Sequence, residues 1–187
     1  MKPGCKGTLM ENTADTLAIR PESKGDIDAI RKLNKKAFKG NNESKLIDAL
    51  RESDIFVPAL SLVAEKGGKI VGHILFTPVE IKDANSAAPA LALAPMAVLP
   101  EFQEQGIGTA LVKRGLEECR KLGHKIVVVV GHPEYYPRFG FSKAGEKGLT
   151  LPFEAPPEVF MVLELTPGAL AGVSGMIEYP REFDAVT

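Results

Sequence analysis

Gln103-Glu104-Gln105-Gly106-Ile107-Gly108-Thr109 follows a long apolar run, Ala90–Val98, and opens a stretch in which apolar residues recur at helical spacing. The run reads as a buried strand, so the heptapeptide is a strand-to-helix turn. A turn of this kind with two glycines can aim several free backbone N–H groups at one point. The helix N-terminus adds a partial positive charge there. Glycine also lets an anion approach the backbone closely. From the residues alone, the turn is a socket for a phosphate or pyrophosphate, or else an ordinary helix entry. No Lys-Ser or Lys-Thr follows the second glycine, so it is not a Walker loop. The spacing Gln-x-x-Gly-x-Gly is also not the G-x-G-x-x-G of dinucleotide turns.

The flanking segments supply the frame. Pro95 interrupts the apolar run and cannot donate to a ladder, which predicts a strand that bulges or splays there. The helix from about Gly106 to Leu122 turns Ile107, Leu111, Leu116 and Cys119 inward. Lys125–Val130 is a β-branched run of the kind buried on both faces of a sheet. A short helix over Pro133–Arg138 and strands from Phe141 and over Glu158–Leu165 follow. Upstream, Leu17–Arg20 reads as a strand, and Ser23-x-x-Asp26 resembles a capping box. Helices follow over Asp26–Phe38 and Glu43–Arg51. Ser61–Glu65 and Lys69–Phe76 flank Lys66-Gly67-Gly68 as a hairpin, and Val79–Lys82 continues its second arm. The order β-α-α-β-β-β-α-β-α-β fits one α/β domain with a mixed sheet over residues 17–187, preceded by a loose segment over residues 1–16.

With 187 residues, 44% hydrophobic and 25% charged, the chain suits a soluble domain with a substantial core. A net charge of -1 gives no general pull toward nucleic acid. No apolar stretch reaches the roughly 20 residues of a membrane helix, and the first twenty residues lack a signal-peptide core. These features lead to the expectation of a cytoplasmic protein without nucleic-acid or membrane partners. Cys5 and Cys119 show no metal-ligand spacing with the three histidines, so no metal is expected. Cys119 reads as a small core residue.

A second motif follows the buried run: Tyr135-Tyr136-Pro137-Arg138-Phe139-Gly140-Phe141. Together, the glycine turn and this segment resemble the GNAT superfamily of N-acetyltransferases, in the superfamily's order and with suitable spacing. Ile19-Arg20-Pro21, Val71-Gly72-His73 and Gly148–Pro152 resemble its YhbS-type branch. The resemblance covers about residues 17–182. It implies an α+β fold with a mixed, mostly antiparallel sheet, a splayed and bulged central strand, and flanking helices. It also implies acetyl-CoA as cosubstrate, a small-molecule or peptide amine as acceptor, and suggests a homodimer.

Residue roles follow from the resemblance. Gln103, Glu104, Gln105, Gly106, Ile107, Gly108 and Thr109 would hold the pyrophosphate through backbone amides. Met96, Ala97 and Val98 match the splayed edge that pairs with the pantetheine arm, where one N–H can act as an oxyanion donor. Tyr136 matches the tyrosine beside the CoA sulfur, either as general acid to the leaving thiolate or as a packing residue. Tyr135 is expected to pack. Some superfamily members carry a glutamate base on the central strand, but Ala90–Val98 holds no carboxylate. Glu43, His73 and Glu80 are the candidate bases, with a water chain or an amine arriving neutral as the alternative. His132 is expected to cap the short helix and Arg138 to be solvated. Acceptor walls are expected from residues 38–58 and 149–157. A non-catalytic acyl-CoA sensor is the alternative.

Overall fold

The computed structural model describes residues 16–185, so the expectation for residues 1–15, Cys5 included, lies outside the described residues. In chain order the elements are β1 (Leu17–Pro21), α1 (Ile27–Phe38), α2 (Asn42–Arg51), β2 (Ser61–Lys66), β3 (Lys69–Lys82), β4 (Ala87–Val98), α3 (Ile107–Lys121) and β5 (Ile126–Val130). Four short strands complete the set: β6 (Ser142–Lys143), β7 (Leu149–Thr150), β8 (Phe160–Glu164) and β9 (Gly175–Glu178).

All nine strands join one sheet, with main order β1-β2-β3-β4-β5-β8-β6. Every pairing is antiparallel except β4 with β5 and β7 with β9. β9 pairs with the far end of β3 and brings β7 with it. This is the expected mixed, mostly antiparallel sheet.

The entry to α1 shows how local sequence fixes the frame. The Asp26 carboxylate accepts hydrogen bonds from the Ser23 N–H at 2.7 Å and the Ser23 hydroxyl at 2.8 Å. Arg20, on β1, bonds Asp26 at 2.7 Å and Glu65 of β2 at 2.9 Å. One guanidinium therefore ties the edge hairpin to the start of the first helix. Ile30 and Leu33 then face the core, one turn apart. On α3, Ile107 and Leu111 lie over Gly72 of β3, and Gly115 sits against the Phe76 ring. The absence of side chains at those two positions lets helix and strand approach closely. At the distal end, β9 and residues 169–173 pack on a second core cluster around Val79, Ile81, Val128 and Val162.

The decisive local feature lies in β4. Met96 pairs with Ile74 and Leu93 with Phe76, so Ala94 and Pro95 together stand opposite Leu75. This two-against-one register is a bulge. On its other edge β4 pairs with β5 only at Leu91–Val127 and Ala92–Val128. Beyond Ala92 the two strands diverge, and the edge from Leu93 to Val98 has no strand beside it. The splay expected from Pro95 is present.

Candidate active site

The fork between β4 and β5 opens onto the N-terminus of α3. A groove of about 780 Å³ runs there. One wall is Met96, Ala97 and Val98 on the unpaired edge of β4. The other is the turn, with Gln103, Glu104, Gly106, Ile107, Gly108 and Thr109. Glu104 and Gly106 both have left-handed backbone, φ 62° and 81°, which reverses the chain twice within three residues. The Ala110 N–H already bonds the Gly106 carbonyl at 3.0 Å. The N–H groups of Ile107, Gly108 and Thr109 open the helix, have no intrahelical acceptor, and form a cluster of donors at the positive end of its dipole. This donor set suits a pyrophosphate.

The glutamines behave differently from a simple phosphate loop. The Gln103 side-chain amide donates to the Val98 carbonyl at 3.1 Å, tying the turn to the end of the splayed strand. The Gln105 amide donates to the Glu101 carbonyl at 3.2 Å, and its residue does not line the groove.

The tyrosine segment closes the groove. After β5 the chain passes Gly131 and enters a 3-10 turn at Tyr136–Phe139, shorter than the helix expected over Pro133–Arg138. Tyr136 is 6% exposed. Its ring meets Phe141 and Tyr135 edge-on at centroid distances of 5.6 and 5.2 Å. A Cβ built on Gly131 would collide with the same ring. The Tyr135 hydroxyl lies against Gly108, 2.8 Å from where a Cβ would stand. The two motifs are thus in direct contact, and Tyr135 packs as expected. Burial pushes the Tyr136 phenol well above its ordinary value, with Tyr135 beside it adding to the shift. Arg138 is exposed, as expected, and its guanidinium lies 4.6 Å over the Tyr135 ring on the rim of the groove. The His132 carbonyl accepts from the Tyr135 N–H at 3.0 Å, so its backbone starts the turn while the residue lines the groove.

A second cavity, of about 750 Å³, lies on the other side of the same junction. Its floor is the β4 segment Ala92–Met96 and residues Val128–Gly131 at the end of β5. Phe38, Glu43 and Leu46, from α1 and α2, make one wall. Phe153, Tyr179 and Phe183 make the other. Phe38, Met96, His132 and Tyr136 line both cavities, so the two spaces meet at those four residues. Phe38 and Phe153 fall in the stretches where acceptor walls were expected. Tyr179 and Phe183 were missed. Their segment is short and Gly/Pro-rich, and only the aromatic spacing hinted at a role.

Other candidates lie elsewhere. Glu43 reaches the second cavity, but His73 does not. His73 is fully buried on β3, with Nε2 2.9 Å from the Ser61 hydroxyl and 3.5 Å from the Glu22 carboxylate. The Ser61 hydroxyl donates to Glu22 at 2.6 Å. That leaves Nε2–H of a neutral imidazole as the donor to Ser61. Burial lowers the His73 pKa against the opposing pull of Glu22. His73 is therefore a structural link, sealed from the groove by the sheet. Glu80 is exposed and pairs with Lys82 at 3.0 Å, at the distal end of β3. Cys119 is fully buried and burial pushes its thiol up to about 12, which removes it as a nucleophile. Among the described residues no group of three or more His, Cys, Asp or Glu could hold a metal ion, and no helix is long and apolar enough to cross a membrane.

A sheet that forks ahead of a glycine-rich helix N-terminus, with a tyrosine between two cavities, defines the class of GNAT acyltransferases. The model of the GNAT acetyltransferase domain matches residues 18–144, and the chain belongs to that family. It is 43% identical over 136 residues to the uncharacterized N-acetyltransferase YjhQ of Escherichia coli, covering 72% of this chain and 75% of that protein. It is 32% identical over 169 residues to YhbS of the same species, covering 90% and 99%. The crystal structure of E. coli YhbS in complex with CoA superposes with a TM-score of 0.85 at 31% identity, over 93% of this chain and 95% of that one. A GNAT acetyltransferase from Brucella melitensis in complex with acetyl-CoA superposes with a TM-score of 0.74 at 31% identity, over 91% and 99%.

Proposed function

We propose that the protein moves an acetyl group from acetyl-CoA to a primary amine by direct attack, with Tyr136 protonating the leaving CoA thiolate. The observation that carries this reading is the position of Tyr136, on the shared wall of a groove suited to the donor and a cavity suited to the acceptor. The relatives solved with CoA and with acetyl-CoA support the choice of donor.

Each group has a defined task. The N–H donors of Ile107–Thr109 hold the pyrophosphate. The free edge at Met96–Val98 takes the pantetheine arm as if it were a strand, and one of its N–H groups faces the thioester oxygen as charge develops. The neutral amine attacks the carbonyl carbon from the second cavity, forming the N–C bond. Nitrogen in the adduct is far more acidic than a free ammonium, and Glu43 receives its proton. The C–S bond then breaks and Tyr136 gives its proton to sulfur. Burial keeps Tyr136 protonated through the neutral range, the state a general acid requires. No acetyl-enzyme is formed, consistent with the buried, high-pKa Cys119.

The test is Tyr136→Phe. The variant retains the ring packing, so acetyl-CoA should bind with unchanged Kd in a calorimetric titration. Turnover measured by thiol release should fall about 10²–10⁴-fold. Full turnover in the variant would assign Tyr136 to packing alone. Acetyl-CoA binding by the wild type without turnover of any amine would favour an acyl-CoA sensor.

A further inference from the structure

From the second cavity we infer that the acceptor is a small amine carrying one positive charge on a ring-sized apolar body, such as an arylalkylamine. This rests on the acetyltransferase reading of the same site. Among the described residues, exposed large apolar side chains are few and concentrated here. Of the five, Phe38, Val130 and Phe153 line this cavity. Isolated exposed apolar residues need no explanation, but a clustered patch in a concavity does. Phe153, Tyr179 and Phe183 form a continuous aromatic wall, with successive centroid distances of 6.0 and 5.0 Å.

The charge pattern narrows the class further. Glu43 is the one carboxylate among the lining residues, and no Lys or Arg lines the cavity. Glu43 makes no hydrogen bond or ion pair with the other described residues, unlike Glu22, Asp26, Asp48 and Glu65, which are all held by arginines. A lone, uncommitted carboxylate in an apolar wall complements one ammonium group, which loses its first proton to solvent before attack and leaves Glu43 free to take the second from the adduct. A polyamine or an aminoglycoside would bring further cations into a cavity whose own lining holds no second carboxylate to pair with them.

The decisive experiment compares kcat/KM for 2-phenylethylamine, ethanolamine, spermidine and a phenylalanyl tripeptide amide, using thiol release with acetyl-CoA. Phenylethylamine should exceed ethanolamine and spermidine by about 10–100-fold, the range that one buried apolar group commands. Phe153→Ala should lower its kcat/KM about 10-fold through KM, leaving the acetyl-CoA Kd unchanged, because Phe153 lies outside the donor groove. Phe153 is 41% exposed, so truncation does not threaten the fold. Preference for ethanolamine, spermidine or the tripeptide would overturn the assignment, as would indifference to Phe153→Ala. Direct titration of phenylethylamine into the protein, with and without CoA, separates the two readings. Saturable binding weakened by Phe153→Ala upholds the amine class even if no acetyl transfer occurs, and absence of binding and turnover refutes it.

Discussion

Gly131 sets the place of Tyr136. Any side chain there meets the Tyr136 ring, and that ring is held from other sides by Phe141 and Tyr135. Gly131→Ala should therefore displace the phenol from the junction of the two cavities. We expect a loss of kcat of roughly 10-fold or more, with overpacking costing about 1–3 kcal/mol of stability. In a Tyr136→Phe background the same change should cost little further turnover, since both would act on the one proton transfer proposed for Tyr136. Steady-state kinetics of the four-member cycle, with thermal melts, check this; additive losses would refute it. The Tyr135–Phe141 segment was legible in the sequence through its resemblance to the superfamily, because an aromatic pair followed by Gly-Phe is a short-range pattern. Gly131 was not, because its role depends on a ring five residues away folding back onto it. His73 shows the converse error. A histidine looks like a base in sequence, but its position on β3 turns it into the core, where its Nε2 meets Ser61 and lies beside Glu22.

At the scale of elements, the turn before α3 and the bulge in β4 work as one unit. Gln103 joins them through its bond to the Val98 carbonyl. Removing that bond with Gln103→Ala should loosen the turn relative to the splayed edge. One hydrogen bond contributes about 0.5–1.5 kcal/mol, so the acetyl-CoA Kd should rise roughly 2–10-fold. Gln105→Ala should have a smaller effect, since Gln105 does not line the groove. Calorimetric titration of the two variants tests the contrast, and equal effects would count against it. The sequence announced both elements through Pro95 and the paired glycines, whose backbone requirements are local. It announced the strand after Phe141 but not β7 and β9. Strands of two to four residues have too little periodicity to be read, and these two exist because pairing with each other and with β3 defines them.

Across the whole molecule, Glu22 links separate parts of the fold. It follows β1 and bonds Arg51 of α2 at 2.6 Å, Ser61 at the start of β2 and His73 of β3. Burial raises its pKa, but His73 beside it and the bonds from Arg51 and Ser61 outweigh this and hold it at about 2. A depressed carboxylate stabilises the fold above its unfolded pKa of 4.5 and loses that contribution as pH falls toward about 2. For Glu22 the loss should amount to roughly 3 kcal/mol. His73, buried neutral, acts in the same direction at higher pH, because the unfolded chain takes up its proton first near 6.5. Urea unfolding from pH 8 downward should show two stages of destabilisation, one below pH 6.5 and one below about 4.5. His73→Gln should shrink the first, part of which comes from the partly buried His124, and Glu22→Gln should shrink the second, part of which comes from Asp26, held below the usual carboxylate range by Arg20. A flat profile above pH 4 would contradict the linkage. This network joins four segments distant in the chain, which explains why no local pattern in the sequence revealed it. The meeting of the two cavities at Phe38, Met96, His132 and Tyr136 has a consequence for inhibition. On the proposed assignment the donor and acceptor spaces adjoin at these four residues, so a single molecule can reach into both. A conjugate joining CoA sulfur to an arylalkylamine through an acetyl-length spacer would lose translational freedom once instead of twice, and should bind more tightly than either half alone.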